Sequence, residues 1–193
     1  MGPSYQSLSR AVAGERSINF YPEIIEAETA KARVALYPCP GLTTFASFAD
    51  SPGRGIFEED SGRLFTVFGS YLDEVSSAGV VTNRGTLAVE ANPATFATNG
   101  SDEVFITSGD TGYVLTLSTN VLTTEVADVT MGGHVDGFFV ALDATTGTLK
   151  ISESGDGTTW DATQIQQRSA AADPWIAMLV VRREIYLFGN KTG

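Results

Sequence analysis

Residues Val135–Ile165 read VDGFFVALDATTGTLKISESGDGTTWDATQI, and this stretch decides the fold. Phe138–Leu142 is a short apolar run without charge, Asp143–Thr148 is a polar turn containing Gly147, and Leu149–Glu153 alternates apolar with polar side chains. Ser154–Gly157 forms a second turn, SGDG, and Thr158–Ala162 follows with Trp160 as its aromatic anchor. The runs are too short for helices and are bounded by turn residues, so they read as three strands of an antiparallel meander. Glycine supplies the positive φ that hairpin turns require, while aspartate and serine bond nearby backbone.

The unit recurs. Glu103–Ser108 and Tyr113–Ser118 flank a GDTG turn; Arg63–Phe68 and Tyr71–Val75 flank Gly69; Ile176–Val181 and Glu184–Phe188 flank Arg182-Arg183 and lead to Gly189. Gly69, Gly109, Gly147 and Gly189 are separated by 40, 38 and 42 residues. Four-stranded repeats of roughly 40 to 50 residues are the signature of propeller blades. The second unit gives the cleanest count, with Thr95–Ala97 before the GDTG pair and Val121–Val126 after it. The expected fold is therefore all-β, with antiparallel four-stranded meanders arranged as β-propeller blades. Residues 1–17 read as an N-terminal arm and 18–193 as a propeller-like β domain. Its blades fall at about 42–90, 93–130 and 135–168, with a partial blade from 173. A closed propeller takes at least ~4 blades, so the expected propeller is incomplete.

Between the strands the chain reads as follows. Tyr21 and Pro22, in the segment Ile18–Glu23, are expected to pack against a sheet. Pro38–Leu42 is a rigid turn whose two prolines fix φ and remove donors, and Cys39 reads as a buried or half-buried thiol. Thr43–Phe48 alternates, Ser51–Gly55 is a loop, and Glu58-Glu59-Asp60 is a solvated acidic turn rather than a calcium site. Val80–Val89 gives two short strands around Asn83-Arg84-Gly85. Met131–His134 is a linker, and Gln164–Ala172 a connection between blades.

The chain has 193 residues and a formal net charge of -11, from 12 basic and 23 acidic side chains. Such a surface repels phosphate backbones and anionic membranes, which argues against broad or sequence-specific nucleic-acid binding. One cysteine excludes an internal disulfide. No apolar run reaches the ~20 residues of a membrane span, and no basic patch followed by an apolar core marks a secretory signal. A lone histidine, His134, cannot make a histidine-rich metal site, and neither a serine triad nor a phosphate-binding glycine loop is present. No catalytic residue, metal or cofactor is expected. Asp110, Asp143 and Asp156 stand in turns, where a carboxylate accepts backbone N–H bonds. Ser154–Trp160, SGDGTTW, resembles the aspartate box of sialidase-type propellers, although one residue shorter between Asp and Trp. That likeness implies a structural turn, with Asp156 tying it and Trp160 packed between sheets.

A wider resemblance runs along the chain. SLSR at Ser7–Arg10, INFYPE at Ile18–Glu23, ALYPCPGL at Ala35–Leu42, RLFTV at Arg63–Val67, Asn99-Gly100 and VRREIYLFG at Val181–Gly189 occur in order. Together they resemble the packaged-DNA stabilisation proteins, the tail hubs, of short-tailed bacteriophages of the phage P22 type. The resemblance implies a propeller in a hexameric hub below the portal and adaptor, which retains packaged DNA and takes part in genome ejection. It further implies partners in the portal–adaptor complex, the tailspike and needle proteins and other copies of the chain. The location implied is the virion tail, after assembly in the host cytoplasm. Tyr21, Pro22, Arg182 and Arg183 are the interface candidates; the arginines, at a hairpin corner, read either as a solvated turn or as a bridge to an adjacent subunit. Members of that family are longer, so the chain is expected to be a fragment, a processed product or a shortened relative. Two other classes stand beside this reading. A carbohydrate-binding or sialidase-like propeller module would need paired carboxylates and an aromatic-lined pocket. An unrelated host-interaction β module is the other.

Overall fold

The computed structural model describes residues 20–24, 34–167 and 175–191, and every regular element in it is a β-strand. The expected arm, 1–17, and residues 168–172 of the expected connection lie outside the described residues. The chain divides into two compact units, Met1–Thr44 and Phe45–Gly193.

In the first unit β1 (Phe20–Ile24) pairs antiparallel with β2 (Val34–Pro38). Tyr21 stands opposite Tyr37, their rings stacked at 6.0 Å. Tyr21 and Pro22 are exposed on this hairpin. Cys39 is exposed, contrary to the expected buried thiol. It follows the last strand residue and is flanked by Pro38 and Pro40, so the ladder stops before a neighbour covers it.

The second unit holds three four-stranded meanders and a two-stranded sheet, each in sequence order. The first blade is β3 (Gly53–Glu58), β4 (Leu64–Phe68), β5 (Tyr71–Val75) and β6 (Val81–Thr86). The second is β7 (Thr95–Thr98), β8 (Glu103–Ser108), β9 (Thr111–Thr116) and β10 (Val121–Ala127). The third is β11 (Met131–Val135), β12 (Phe138–Asp143), β13 (Thr148–Glu153) and β14 (Asp156–Gln167). A half-blade, β15 (Trp175–Val181) and β16 (Glu184–Gly189), follows. The blades stack side by side: β11 lies against both β7 and β15, and β10 against both β6 and β14.

Turn chemistry sets the registers. Gly109-Asp110, Asp136-Gly137 and Arg182-Arg183 are two-residue loops with both φ values positive, between 50° and 90°. That is the geometry of a type I′ hairpin, whose twist matches that of the strands it joins. Gly69, Gly109 and Gly147 all lie in turns between the second and third strands of a blade, and Gly189 ends the second strand of the half-blade. Their spacing is the blade period. The Arg182-Arg183 turn joins first and second strands, so its counterpart is Asp136-Gly137.

Several local expectations change. Met131–His134 is not a linker but most of strand β11. Its glycines are there for close packing: a Cβ on Gly132 would lie 2.6 Å from the Phe105 ring, and one on Gly133 2.6 Å from Val180. The loop expected at Ser51–Gly55 becomes strand at Gly53. Val80–Val89 contributes one strand, β6, because Gly85 absorbs a register shift opposite Leu72 and Asp73 instead of turning the chain. Thr43–Phe48 forms no strand; Phe48 instead lies flat on Phe68, with ring centroids 3.8 Å apart.

The core is divided among the seams between blades, because alternate residues of each strand point to opposite faces. Phe65, Val67 and Leu72 of the first blade meet Val104, Ile106 and Leu115 of the second. Phe105 and Val114 of the second meet Phe139 and Ala141 of the third. Val140, Leu142 and Leu149 of the third meet Met178, Val180, Ile185 and Leu187 of the half-blade. Phe105 is fully buried and touches both the Phe139 and Trp160 rings, at 5.4 and 5.1 Å between centroids. Phe105→Ala is expected to cost about 3–5 kcal/mol, read as a loss of stability in chemical denaturation.

Candidate functional site

The described residues hold no group of three His, Cys, Asp or Glu side chains placed to bind a metal. His134, on β11, sits edge-on to the Phe139 ring at 5.5 Å, and its Nε2 is buried without a partner. Burial lowers its pKa while Asp136 acts in the opposite sense. In the acidic turn, Glu59 is buried and accepts the Ser61 N–H at 3.0 Å, whereas Glu58 and Asp60 are exposed.

The start of β14 shows how its carboxylate is used. Asp156 Oδ1 accepts the Thr158 N–H at 2.8 Å and the Thr158 hydroxyl at 2.6 Å, and Oδ2 accepts the Thr159 hydroxyl at 2.9 Å. These bonds hold its pKa below the ordinary carboxylate value. Trp160 donates its Nε1–H to the Gly157 carbonyl at 2.7 Å. Its ring is half-buried against Phe105 rather than enclosed. Its open side lines a hollow of about 270 Å3 with Glu125, Asp128, Lys150 and Asp161. Lys150 Nζ is already engaged there, donating to the Ala127 carbonyl at 2.7 Å.

Polar clasps cross each seam. Arg63 grips Glu74 with two bonds, at 2.9 and 2.7 Å, and reaches the second blade through the Leu117 carbonyl at 3.0 Å and Asn120 Oδ1. Arg84 shares Glu74, at 2.7 Å. Bonds from both arginines depress the Glu74 pKa, that from Arg63 most. Arg54, buried on β3 of the first blade, donates to the carbonyls of Gly69 and Glu90 at 3.1 and 2.9 Å and to the Ser108 hydroxyl of the second. Glu103 of the second blade accepts the Gly157 N–H of the third at 2.8 Å and the Asn99 amide at 2.9 Å. Desolvation raises its pKa; the Gly157 bond opposes this, while Asp156, Asp102 and Glu125 add to it. Arg183 and Asp136 form an ion pair between the equivalent turns of the half-blade and the third blade. Arg183 is thus bridged within its own chain, and Arg182 beside it is exposed. The clasps at Arg54, Arg63 and Glu103 escaped the sequence reading. One signal was available for two of them: Arg63 and Glu103 each stand six residues before a corner glycine, Gly69 and Gly109.

The seam series stops at a bare face. By register from the first turn, Tyr186 and Phe188 are the counterparts of Val140 and Leu142, which are buried against the next sheet. Leu179 and Val181 flank them on β15. These four side chains are 42–53% exposed. The Tyr186 hydroxyl donates to Glu184 at 2.6 Å.

Comparison with known proteins places this architecture. The family model described as Bacteriophage P22 Gp10, beta-propeller, matches residues 15–192. No curated protein matches the chain. Among solved structures, virginiamycin B lyase from Staphylococcus aureus is 11% identical with a TM-score of 0.51, over 91% of this chain and 64% of that one. A chain in the structure of S. cerevisiae Dbp5 bound to Nup159 and Gle1 is 10% identical with a TM-score of 0.46, over 67% of this chain and 34% of that one. The Neurospora crassa Pan2 WD40 domain is 15% identical with a TM-score of 0.43, over 69% of this chain and 43% of that one. The likeness to the lyase is one of fold alone. The chain thus spans between about a third and two thirds of the length of these three structures.

Glu103 gives a test of the seam electrostatics. Its folded pKa is raised, so its contribution favours the fold below the unfolded pKa and is lost as pH rises through the folded one. Glu103→Gln keeps an acceptor for Gly157 and removes the desolvated charge. The variant is expected to be at least as stable as the parent at pH 7, with the difference shrinking toward pH 4 in parallel denaturant titrations. Asp156→Ala is expected to lose about 1 kcal/mol at pH 7, a loss that fades as pH falls through the depressed pKa of Asp156.

Proposed function

The chain belongs to the bacteriophage P22 Gp10 β-propeller family, and on that premise we propose that it is a structural protein of a short-tailed phage tail hub. In this role it retains packaged DNA below the portal and adaptor, takes part in genome ejection, and works through protein–protein contacts rather than catalysis. The observation that carries the reading is the family match over residues 15–192. Its proposed partners are the portal–adaptor complex, the tailspike and needle proteins and further copies of itself, as a hexamer in the assembled tail. Its proposed place is the virion, after assembly in the host cytoplasm.

The charge distribution supports a hub that encloses DNA without gripping it. The net charge is -11. Arg54, Arg63, Arg84, Lys150 and Arg183 all bond to oxygens of their own chain. Among the described residues few cations are left to neutralise phosphates, and with few counterions released DNA binding stays weak. An acidic wall of this kind lets a duplex slide. The domain division, an arm at 1–17 and a propeller-like domain from 18, belongs to the same proposal, with the arm ordering against a partner. So does a role for Tyr21 and Pro22, exposed on their hairpin, in a partner interface.

The protein is expected to bind a purified portal–adaptor complex and to bind duplex DNA only weakly at about 0.15 M salt. Sub-micromolar DNA affinity under those conditions, with no binding to the adaptor complex, would overturn the reading.

A further inference from the structure

Residues 45–50 strap the face of the first blade that turns away from the second. Phe48 lies on Phe68, and Asp50 accepts the Ser70 N–H at 3.1 Å. At the other end a Cβ on Gly79 would lie 2.1 Å from the Phe45 carbonyl oxygen. Between these anchors a hollow of about 370 Å3 remains. It is lined by Ser47 and Ala49 of the strap, Tyr71 and Asp73 of β5, and Val81 and Asn83 of β6. We propose that this hollow binds an alkylammonium group, a chain of methylenes ending in a protonated primary amine, with Asp73 as its counter-charge. The site draws on nothing in the tail-hub reading.

Asp73 points to this chemistry. Leu72 packs in the seam with the second blade and Glu74 holds Arg63 there, so alternation turns Asp73 to the strapped face. Asp73 is 4% exposed. Its Oδ1 accepts the Asn83 amide N–H at 3.0 Å, while Oδ2 has no partner among the described residues. The Thr66 hydroxyl, directly opposite on β4, donates to the Asp73 backbone carbonyl at 3.4 Å instead of the carboxylate. The arginines of the blade are engaged elsewhere, Arg63 and Arg84 with Glu74 and Arg54 with Ser108. A carboxylate taken out of water without a counter-charge is costly, and the cost falls when an opposite charge enters. The hollow is the way in.

The walls select among cations. Asn83 Oδ1 and the hydroxyls of Ser47 and Tyr71 are unbonded among the described residues, so together with Asp73 they offer oxygens and no basic group. An ammonium carries three donors and no acceptor. Ala49, Val81 and the Tyr71 ring give apolar surface for its methylenes. With Oδ1 already bonded to Asn83, one carboxylate oxygen stays open, which suits a point-like ammonium better than a bidentate guanidinium. Calcium would need six to eight oxygens, and no group of three metal-binding side chains stands here among the described residues.

A lysine side chain of a partner and a free aliphatic diamine both carry the group, and the test separates them. The 193-residue chain is titrated with diaminopentane and with N-acetyl-lysine methylamide at about 0.15 M salt, followed by nitrogen–proton correlation spectra. Each is expected to shift the amides of Ser47, Asp73 and Asn83 saturably, with a dissociation constant of about 1 mM or below. The uncharged pentanol and N-acetyl-norleucine methylamide are expected not to. The tighter of the two amines identifies the source. Asp73→Asn is expected to weaken binding about tenfold or more. Ala49→Leu, at an exposed position of the strap, narrows the hollow with Asp73 left in place and is expected to weaken binding as much. Unchanged melting verifies that each variant is folded. The proposal is overturned if neither amine saturates by about 20 mM, if the uncharged analogues bind as well, or if calcium chloride shifts the same amides and displaces the amine. Binding by both variants as tight as that of the parent overturns it equally. None of these outcomes touches binding to the portal–adaptor complex, so the site fails separately from the functional reading.

Discussion

A four-stranded sheet that is apolar on both faces cannot stand alone in water. The stacking of sheets in the second compact unit follows from that constraint. β8 buries Val104 and Ile106 on one side and Phe105 on the other. A sheet with one solvated face would alternate apolar with polar; this one reads as a nearly continuous apolar run. Cover on both sides is obtained only by stacking sheets, and each added sheet brings a new uncovered face. Folding by such a rule is local, since each sheet is a meander of adjacent strands, and the stability of each depends on its neighbours. Phe105 shows the dependence: its ring is held by side chains of the third blade while its backbone belongs to the second.

Polar clasps add direction to the apolar seams. Burial against a flat sheet tolerates sliding, whereas an arginine fixed by a carboxylate of its own blade and donating across the seam, or a half-buried carboxylate accepting a backbone N–H of the next blade, does not. Arg63 and Glu103 serve successive seams from the same position in the repeat with opposite charge. The position is fixed by geometry, at the start of the second strand and within reach of the following blade's last hairpin. The chemistry there is free to vary so long as it finds a partner. Arg63 meets a carbonyl and an amide oxygen, and Glu103 meets a backbone N–H. Glu103 is the costlier solution, because it desolvates a carboxylate and also places it near three others.

The strands and their period were legible in the sequence because the signals are local. The corner glycines mark turns that need positive φ, and Gly69, Gly109 and Gly147 all have it. Asp156 was legible for the same reason, since its partners Thr158 and Thr159 are its chain neighbours. Glycines inside strands misled: Gly53, Gly85, Gly132 and Gly133 read as loops, although each stands in β3, β6 or β11. A glycine that bends the chain and one that admits a neighbouring ring look alike until that neighbour is known. Most of the seam clasps were illegible because they join distant residues. Arg63 and Asn120 are 57 residues apart, and Glu103 and Gly157 are 54 apart. Trp160 fell between the two cases: its hydrogen bond is local, but its exposure is set by where β10 and β14 part.

The first strands also set the angle between neighbouring sheets. Where they meet they carry unequal volume: Phe57 of β3 stacks on Phe96 of β7, with ring centroids 5.4 Å apart, whereas Gly133 of β11 lies against Val180 of β15. The second strands carry large side chains into every seam, Phe65, Phe105, Phe139 and Leu142. Two sheets separated by more volume at one strand than at another cannot lie parallel; they turn about an axis on the thinner side. At the last seam the thinner side is the glycine of β11. A methyl group gained at Gly133, where a Cβ would meet Val180 at 2.6 Å, would thicken that side and reduce the turn between the third blade and the half-blade. The angle at this seam is thus a property of its smallest residue.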